Sequence, residues 1–226
     1  MGTPSTGNRL WGPILAFVAG YVDTLGFIAL FGLFTAHVTG NFVLIGKALI
    51  THGDGVLLKL LAFPAFIAAV VLARLLSRAL ARRRRSAVKP LLLLQAALLL
   101  GFMALGLLAS PITSPEGGLV LATGMLGAVA MGVQNAQGRL ELGVLVPNTV
   151  MTGNVTQAVI DLVDLLDGAE EHTAARARLR KMLPAIAGFG VGAIGGAGAW
   201  LMFGFAALAL PAALLIGLAT REVPKA

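Results

Sequence analysis

Asp23 is the single charged side chain in residues 10–34, a stretch of 25 residues. An ionisable group in such apolar surroundings is costly unless it faces the protein interior, and such groups mark ion and proton pathways. Proton exchange is therefore the chemistry Asp23 offers. His37 follows just ahead of Thr39-Gly40-Asn41, and an imidazole there can gate, relay a proton or pair with Asp23. The same tripeptide returns as Thr152-Gly153-Asn154. Both copies read as openings of short helices: Thr39 and Thr152 as N-caps, Gly40 and Gly153 allowing tight entry, Asn41 and Asn154 presenting amides to a solute or to the opposite half. A helix that starts at membrane depth is tolerated only inside protein or beside a water-filled cavity, toward which its free N–H groups and positive end point. Each feature also has a plainer reading. TGN then marks a capped bend, Asp23 staples helices by hydrogen bonds, and His37 is a hydrogen-bonded loop residue.

Other chemistries are poorly supplied. Cysteine is absent, which removes thiolate metal sites and thiol nucleophiles, and the three histidines (His37, His52, His172) have no ligand spacing. The glycines from Gly188 to Gly198 superficially contain a nucleotide-loop pattern, but no strand precedes them and no P-loop Lys follows. At these spacings glycines let membrane helices pack closely. No nucleophile motif accompanies them, so the expectation is a non-enzyme with no cofactor and no metal.

Positioning these residues falls to membrane helices. The chain of 226 residues is 58% hydrophobic and only 12% charged, with a mean hydropathy of +0.90. That composition cannot coat a soluble domain. A net charge of +7 on such a chain reads as loop charge that fixes orientation, and not as a nucleic-acid surface. Runs nearly free of charge occur at 10–34, 60–80, 90–110 and 117–138, while 182–220 is 39 uncharged residues, enough for two spans back to back. The expectation is six transmembrane helices. Residues 39–50 and 152–166 reach only about 18 and 22 Å, short of a hydrocarbon core of roughly 30 Å, and fit half-spans. Asp161, Asp164, Asp167, Glu170 and Glu171, followed by Arg176 to Lys181, read as a solvated amphipathic helix with internal ion pairs that could form a cytoplasmic vestibule.

The two halves repeat. Gly20, Asp23 and Gly26 share the frame of Gly132, Asn135 and Gly138, and the TGN elements follow at nearly equal distances. Residues 1–110 and 111–226 thus each read as span, half-helix, span, span. Under the positive-inside rule the cluster Arg82 to Arg85 with Lys89 is cytoplasmic. If the TGN helices are re-entrant, 15 of the 17 Lys and Arg, including Arg9 and Lys225, fall inside, with only Lys47 and Lys59 outside. Three crossings per half make the second repeat inverted, a plan common among secondary transporters and channels.

Ala19-Gly-Tyr-Val-Asp23, His37-Val-Thr-Gly-Asn41, Gly132-Val-Gln-Asn135-Ala and the second Thr152-Gly153 together resemble the YoaK-like family of bacterial membrane proteins, a family of unknown function. The resemblance covers nearly the whole chain. It implies a multi-pass protein of the bacterial inner membrane and supplies no activity.

The fold class expected is therefore all-α integral membrane, with two inverted repeats and both termini cytoplasmic. The function expected is a small transporter or channel in contact with lipid and a polar solute or ion, with Asp23, His37, Thr39, Gly40, Asn41, Asn135, Thr152, Gly153 and Asn154 at the site. A homo-oligomer is compatible with this plan. The competing class is a membrane scaffold or accessory protein whose polar residues are structural. Single Cys probes decide the topology: those at His52 and Glu116 should label from outside the cell membrane, and those at Ser86 and Thr173 only after permeabilisation. Outside labelling at Thr173 would require 152–166 to cross fully and would end the re-entrant plan.

Overall fold

A computed structural model describes residues 10–167 and 172–223, which form helices and connecting turns with no strand among the described residues. The order is α1 (Trp11–Ala29), α2 (Gly40–Thr51), α3 (Val56–Arg82), α4 (Val88–Ala109), α5 (Gly118–Leu140), α6 (Met151–Leu166), α7 (His172–Phe203), a 3-10 turn (Gly204–Leu208) and α8 (Ala209–Ala219). Arg9, Glu170, Glu171 and Lys225 lie outside the described residues.

The helices follow the apolar runs because backbone groups in hydrocarbon must bond within their own segment. Four of them stop where the chain adopts left-handed backbone: at Phe31 and Gly32 after α1, at His52 after α2, at Arg84 after α3, and at Gly204 after α7. Five stretches are long and apolar enough to cross a membrane: Trp11–Ala29, Val56–Arg82, Val88–Ala109, Gly118–Leu140 and Thr173–Ala219. The last, at 47 residues, is where the sequence suggested two spans of equal length. Instead α7 begins well before residue 182 and runs 32 residues to Phe203, and the remainder is a tight 3-10 turn leading into the 11-residue α8. Gly204, at φ 54°, sets that break, since glycine enters this region without a Cβ penalty.

Glycine also decides which helices touch. A Cβ added to Gly188, Gly192 or Gly196 of α7 would collide with the backbone carbonyl of Pro13, Phe17 or Tyr21 of α1. A Cβ on Gly20 of α1 would meet the carbonyl of Phe189 in return. Because the contacts advance together along both chains, α1 and α7 run parallel, backbone against backbone, in the manner of small-residue seams between membrane helices. A second parallel pair has the same character. Gly124 of α5 lies on Leu58 of α3, and Gly132 lies on Ala69 and the Phe66 carbonyl two turns further along. Gly20 and Gly132, matched in the sequence, thus each rest on the carbonyl of a phenylalanine in a parallel neighbour.

The core between the pairs is filled by Trp11, Tyr21, Phe102 and Phe205, all fully or almost fully buried. Phe205 seats over Gly106 of α4 and meets Phe102 edge-on at 5.9 Å. Tyr21 Oη donates to the Ala207 carbonyl at 3.0 Å, tying the middle of α1 to the 3-10 turn. Ile50, Ile194 and Leu201 face outward, as lipid-facing side chains of a multi-pass membrane protein do.

The glycine seam makes a specific expectation. Gly192→Ala, whose methyl has no room against Phe17, should destabilise the protein by about 1–3 kcal/mol. Gly190→Ala on the same helix meets nothing within 4 Å and should be neutral or slightly stabilising. Thermal unfolding in detergent compares the two, and equal melting points would refute the seam.

Candidate functional site

The residues around Asp23 are organised by a loop that folds back into the protein. After the left-handed turn at Phe31 and Gly32, residues 33–38 run back along α1 and not away from it. Asp23 lies six residues before the end of α1, about 9 Å down the helix. Its Oδ1 nevertheless accepts the backbone N–H groups of Thr35 and Ala36, both at 2.7 Å, and the Thr35 hydroxyl at 3.3 Å. Its Oδ2 pairs with His37 Nδ1 at 2.7 Å. Thr35 is wholly buried, its methyl wedged between Gly26 of α1 and Gly127 of α5. Asp23 is 3% exposed, whereas the His37 side chain is 36% exposed, so the pair reaches from the interior to an accessible surface.

Asn41 completes the first loop. Its amide clasps the backbone of Phe34, accepting from the Phe34 N–H at 3.0 Å and donating to the Phe34 carbonyl at 2.9 Å. Lys59 closes the other side. Its buried ammonium donates to the Phe31 carbonyl at 2.7 Å and to the Asp54 and Gly55 carbonyls at 3.4 Å. From sequence Lys59 counted only as an outward loop charge. Its position next to an aspartate and two glycines gives no hint of this role.

The second half holds its loop with two bonds at the same separations as in the first. Asn135 donates to the Thr149 hydroxyl at 2.9 Å, 14 residues on, as Asp23 meets His37 14 residues on. Asn154 donates to the Pro147 carbonyl at 2.6 Å, seven residues back, as Asn41 does to Phe34. Thr149 thus occupies the place that His37 holds in the first half.

Several expected roles change. Thr39 sits at the N-cap of α2 with helical backbone (φ −65°, ψ −24°), and its hydroxyl makes no capping bond. A capping side chain needs extended backbone to reach over the first turn. The N–H groups of Gly40, Asn41 and Phe42 are instead taken by the carbonyls of His37, Val38 and Thr39. Thr152 lies inside α6, whose N-cap is Val150, and it too caps nothing. Gly40 sits close under the Phe34 ring, which a Cβ would approach to 3.0 Å, while Gly153 has open space around it. The asparagines of TGN therefore fold onto their own loops and do not reach the opposite half. The two TGN helices make no extended contact either: α2 lies on α3 and α6 on α7. Phe189 of α7 is edge-on to His37 at 5.5 Å and packs against the cluster of Ala16, Met151 and Ala185.

Beside the second loop runs an amide array that sequence reasoning missed. Gln95 of α4 donates to Gln134 of α5 at 2.6 Å, and Gln134 donates to the Leu15 carbonyl and to Asn148. Gln137 donates to the Val88 carbonyl at 2.9 Å. Three glutamines in otherwise apolar helices were the available signal.

The mouth of the second loop is a cleft of ≈ 390 Å³ lined by residues 143–147, Asn154, Gln157, Arg178, Lys181 and Met182. Behind its wall Arg178 and Gln157 hold Asp161, which was expected on a solvated face and is fully buried. Arg178 of α7 grips both its oxygens, with Nε at 3.0 Å from each and Nη2 at 2.6 Å from Oδ1, and Gln157 adds a bond at 2.9 Å. The helices bring together one cross-helix pair where local pairing was expected.

A family model described as a protein of unknown function, DUF1275, matches residues 12–220. The UPF0700 transmembrane protein YoaK of Bacillus subtilis (strain 168) is 31% identical over 155 residues, covering 66% of this chain and 64% of that protein. The chain thus matches less than two thirds of that relative's length. No solved structure matches.

Hydrogen bonding from Arg178 holds the Asp161 carboxyl below its ordinary value, against the opposing effect of burial and with Gln157 assisting. A depressed carboxyl contributes stability that is complete above its unfolded value, about 3.9, and is lost as pH falls through the lower folded value. Asp161→Asn should therefore melt below wild type at neutral pH, and the gap should close as the medium is acidified below about pH 4. Melting curves across that range measure it; a gap independent of pH would deny the ion pair its role.

Proposed function

Because the chain belongs to the DUF1275 family, whose description names no activity, we propose from its buried loops that it is a small secondary transporter or channel for a polar solute. The observation that carries this reading is the pair of non-helical loops, each folded back along the helix before it and held by matching bonds. Irregular backbone at membrane depth occurs where it is buried in protein or lines a water-filled path, and broken helices of this kind form solute sites in transporters.

In this reading the loops and the short helices α2 and α6 are re-entrant elements of two inverted repeats, 1–110 and 111–226, with six crossings. The parallel pairs support it: α1 with α7 is the first crossing of one repeat with the second of the other, and α5 with α3 is the same pair exchanged. Sidedness follows from the Lys and Arg distribution, which favours cytoplasmic termini in a bacterial inner membrane. The break at Gly204 then separates the fifth crossing from a sixth made of the 3-10 turn and α8. The partners are lipid and a small polar solute or ion, and neither an enzymatic step nor a cofactor is invoked.

The bonding of Asp23 narrows the solute. With its carboxylate occupied by two N–H groups, a hydroxyl and His37, Asp23 offers no free charge to a cation. Its remaining role in transport is proton exchange through His37. The same bonding is what a scaffold protein would use to hold its loop, which keeps that second reading alive.

Proteoliposomes separate the two. Flux of a panel of small anions and neutral solutes, followed by light scattering and by an enclosed pH dye, should exceed that of empty vesicles for at least one solute. In Asp23→Asn, an amide that keeps much of the hydrogen bonding, the flux should persist with its pH dependence flattened. Vesicles no more permeable than protein-free controls to every solute would favour the scaffold, and an unchanged pH response would return Asp23 to a structural role.

A further inference from the structure

The two TGN asparagines differ in one respect that their loops explain. In the first half both ends of the Asn41 amide are used, since Phe34 offers an N–H and a carbonyl. In the second half the corresponding residue is Pro147, which has no N–H. Asn154 Nδ2 donates to the Pro147 carbonyl and touches Met151 Sδ at 3.7 Å, while its Oδ1 has no hydrogen-bond partner among the described residues. Asn154 is only 5% exposed, yet it lines the ≈ 390 Å³ cleft. A free acceptor on a nearly buried side chain that lines a cleft is a place for a ligand's donor.

The cleft is also positive. Arg178 is committed to Asp161, whereas Lys181 makes no ion pair among the described residues. Asn154 lies in the first turn of α6, the positive end of a 16-residue helix. The first turn of α2 is closed by three backbone bonds to the preceding loop, and α6 has none of these.

We propose that this cleft binds a small oxoanion carrying a hydroxyl, such as hydrogencarbonate or dihydrogen phosphate. The hydroxyl donates to Asn154 Oδ1 and the charged oxygens face Lys181. An anion without a hydrogen-bond donor satisfies the charge and leaves Asn154 unpaired, so the site discriminates between oxoanions of like shape. That the bound anion is the transported solute rests on the transport reading above; the binding itself does not.

Isothermal titration of the purified full chain in detergent tests the site with two pairs of sodium salts: hydrogencarbonate against nitrate, both planar monoanions, and phosphate at mildly acid pH against sulfate. At least one hydroxyl-bearing member should bind ten times more tightly than its counterpart. Pro147→Ala supplies the missing N–H, closes Asn154 Oδ1 as in the first half, and should weaken that binding at least tenfold without lowering the melting point. Lys181→Gln, on an exposed side chain, should weaken both members of the pair alike. Equal affinity within both pairs, or undiminished discrimination in Pro147→Ala, overturns the proposal. Discrimination in solution by a protein that moves nothing in vesicles would retain this site and remove the transport reading; flux with no discrimination would do the reverse.

Discussion

Everything in this molecule answers to the rule that a backbone polar group in hydrocarbon must find its partner within the protein. Regular helices meet it automatically. The loops at 30–39 and 141–150 do not, and each is furnished with side chains that substitute for the absent helical bonds. Asp23 serves two N–H groups, Asn41 serves both polar groups of Phe34, and Lys59 gathers three carbonyls. The polar residues of the apolar stretches are thus concentrated where the helix stops. The cost of burying them is offset by the larger cost of leaving buried loop backbone unpaired.

Around these loops the packing is asymmetric in chemistry and symmetric in plan. The first half holds its loop with a carboxylate and an imidazole, the second with an amide and a hydroxyl, over the same separation. One half therefore has a titratable bond where the other has a neutral one. The ion pair of Asp161 and Arg178 then places charge beside the second loop, joining α6 to α7. Phe189 touches both regions, its carbonyl against Gly20, its ring against His37, and its side chain in the cluster that includes Met151.

The all-helical membrane fold was legible because hydrocarbon imposes long uncharged runs, and Asp23 and both TGN elements were legible because polar residues in such runs are few. The pairing of His37 with Asp23 was one of the options the spacing allowed. What could not be read was direction. TGN resembles a helix start with threonine as cap, but the chain enters α2 already in helical backbone, so the cap position carries no capping bond and the asparagine takes up the loop instead. Lys59 and Arg178 are ordinary charges by composition, and only the packing of another element against them reveals burial or a partner. Gly204 stood in a glycine-rich, uncharged stretch with nothing local to mark it as the bend.

The seam between α1 and α7 bears on how the protein is made. Pro13 and Gly188, which touch at its base, are 175 positions apart in the sequence. At synthesis rates of about 5–20 residues per second, α1 waits roughly 10–35 s for its partner to leave the ribosome. The seam of α3 with α5 is complete well before then. During that interval the side of α1 that carries Pro13, Phe17, Gly20 and Tyr21, with Asp23 close by, lacks the helix that packs on it. α7 emerges only after α1 to α6, so an interruption of synthesis after α6 leaves α1 without its seam.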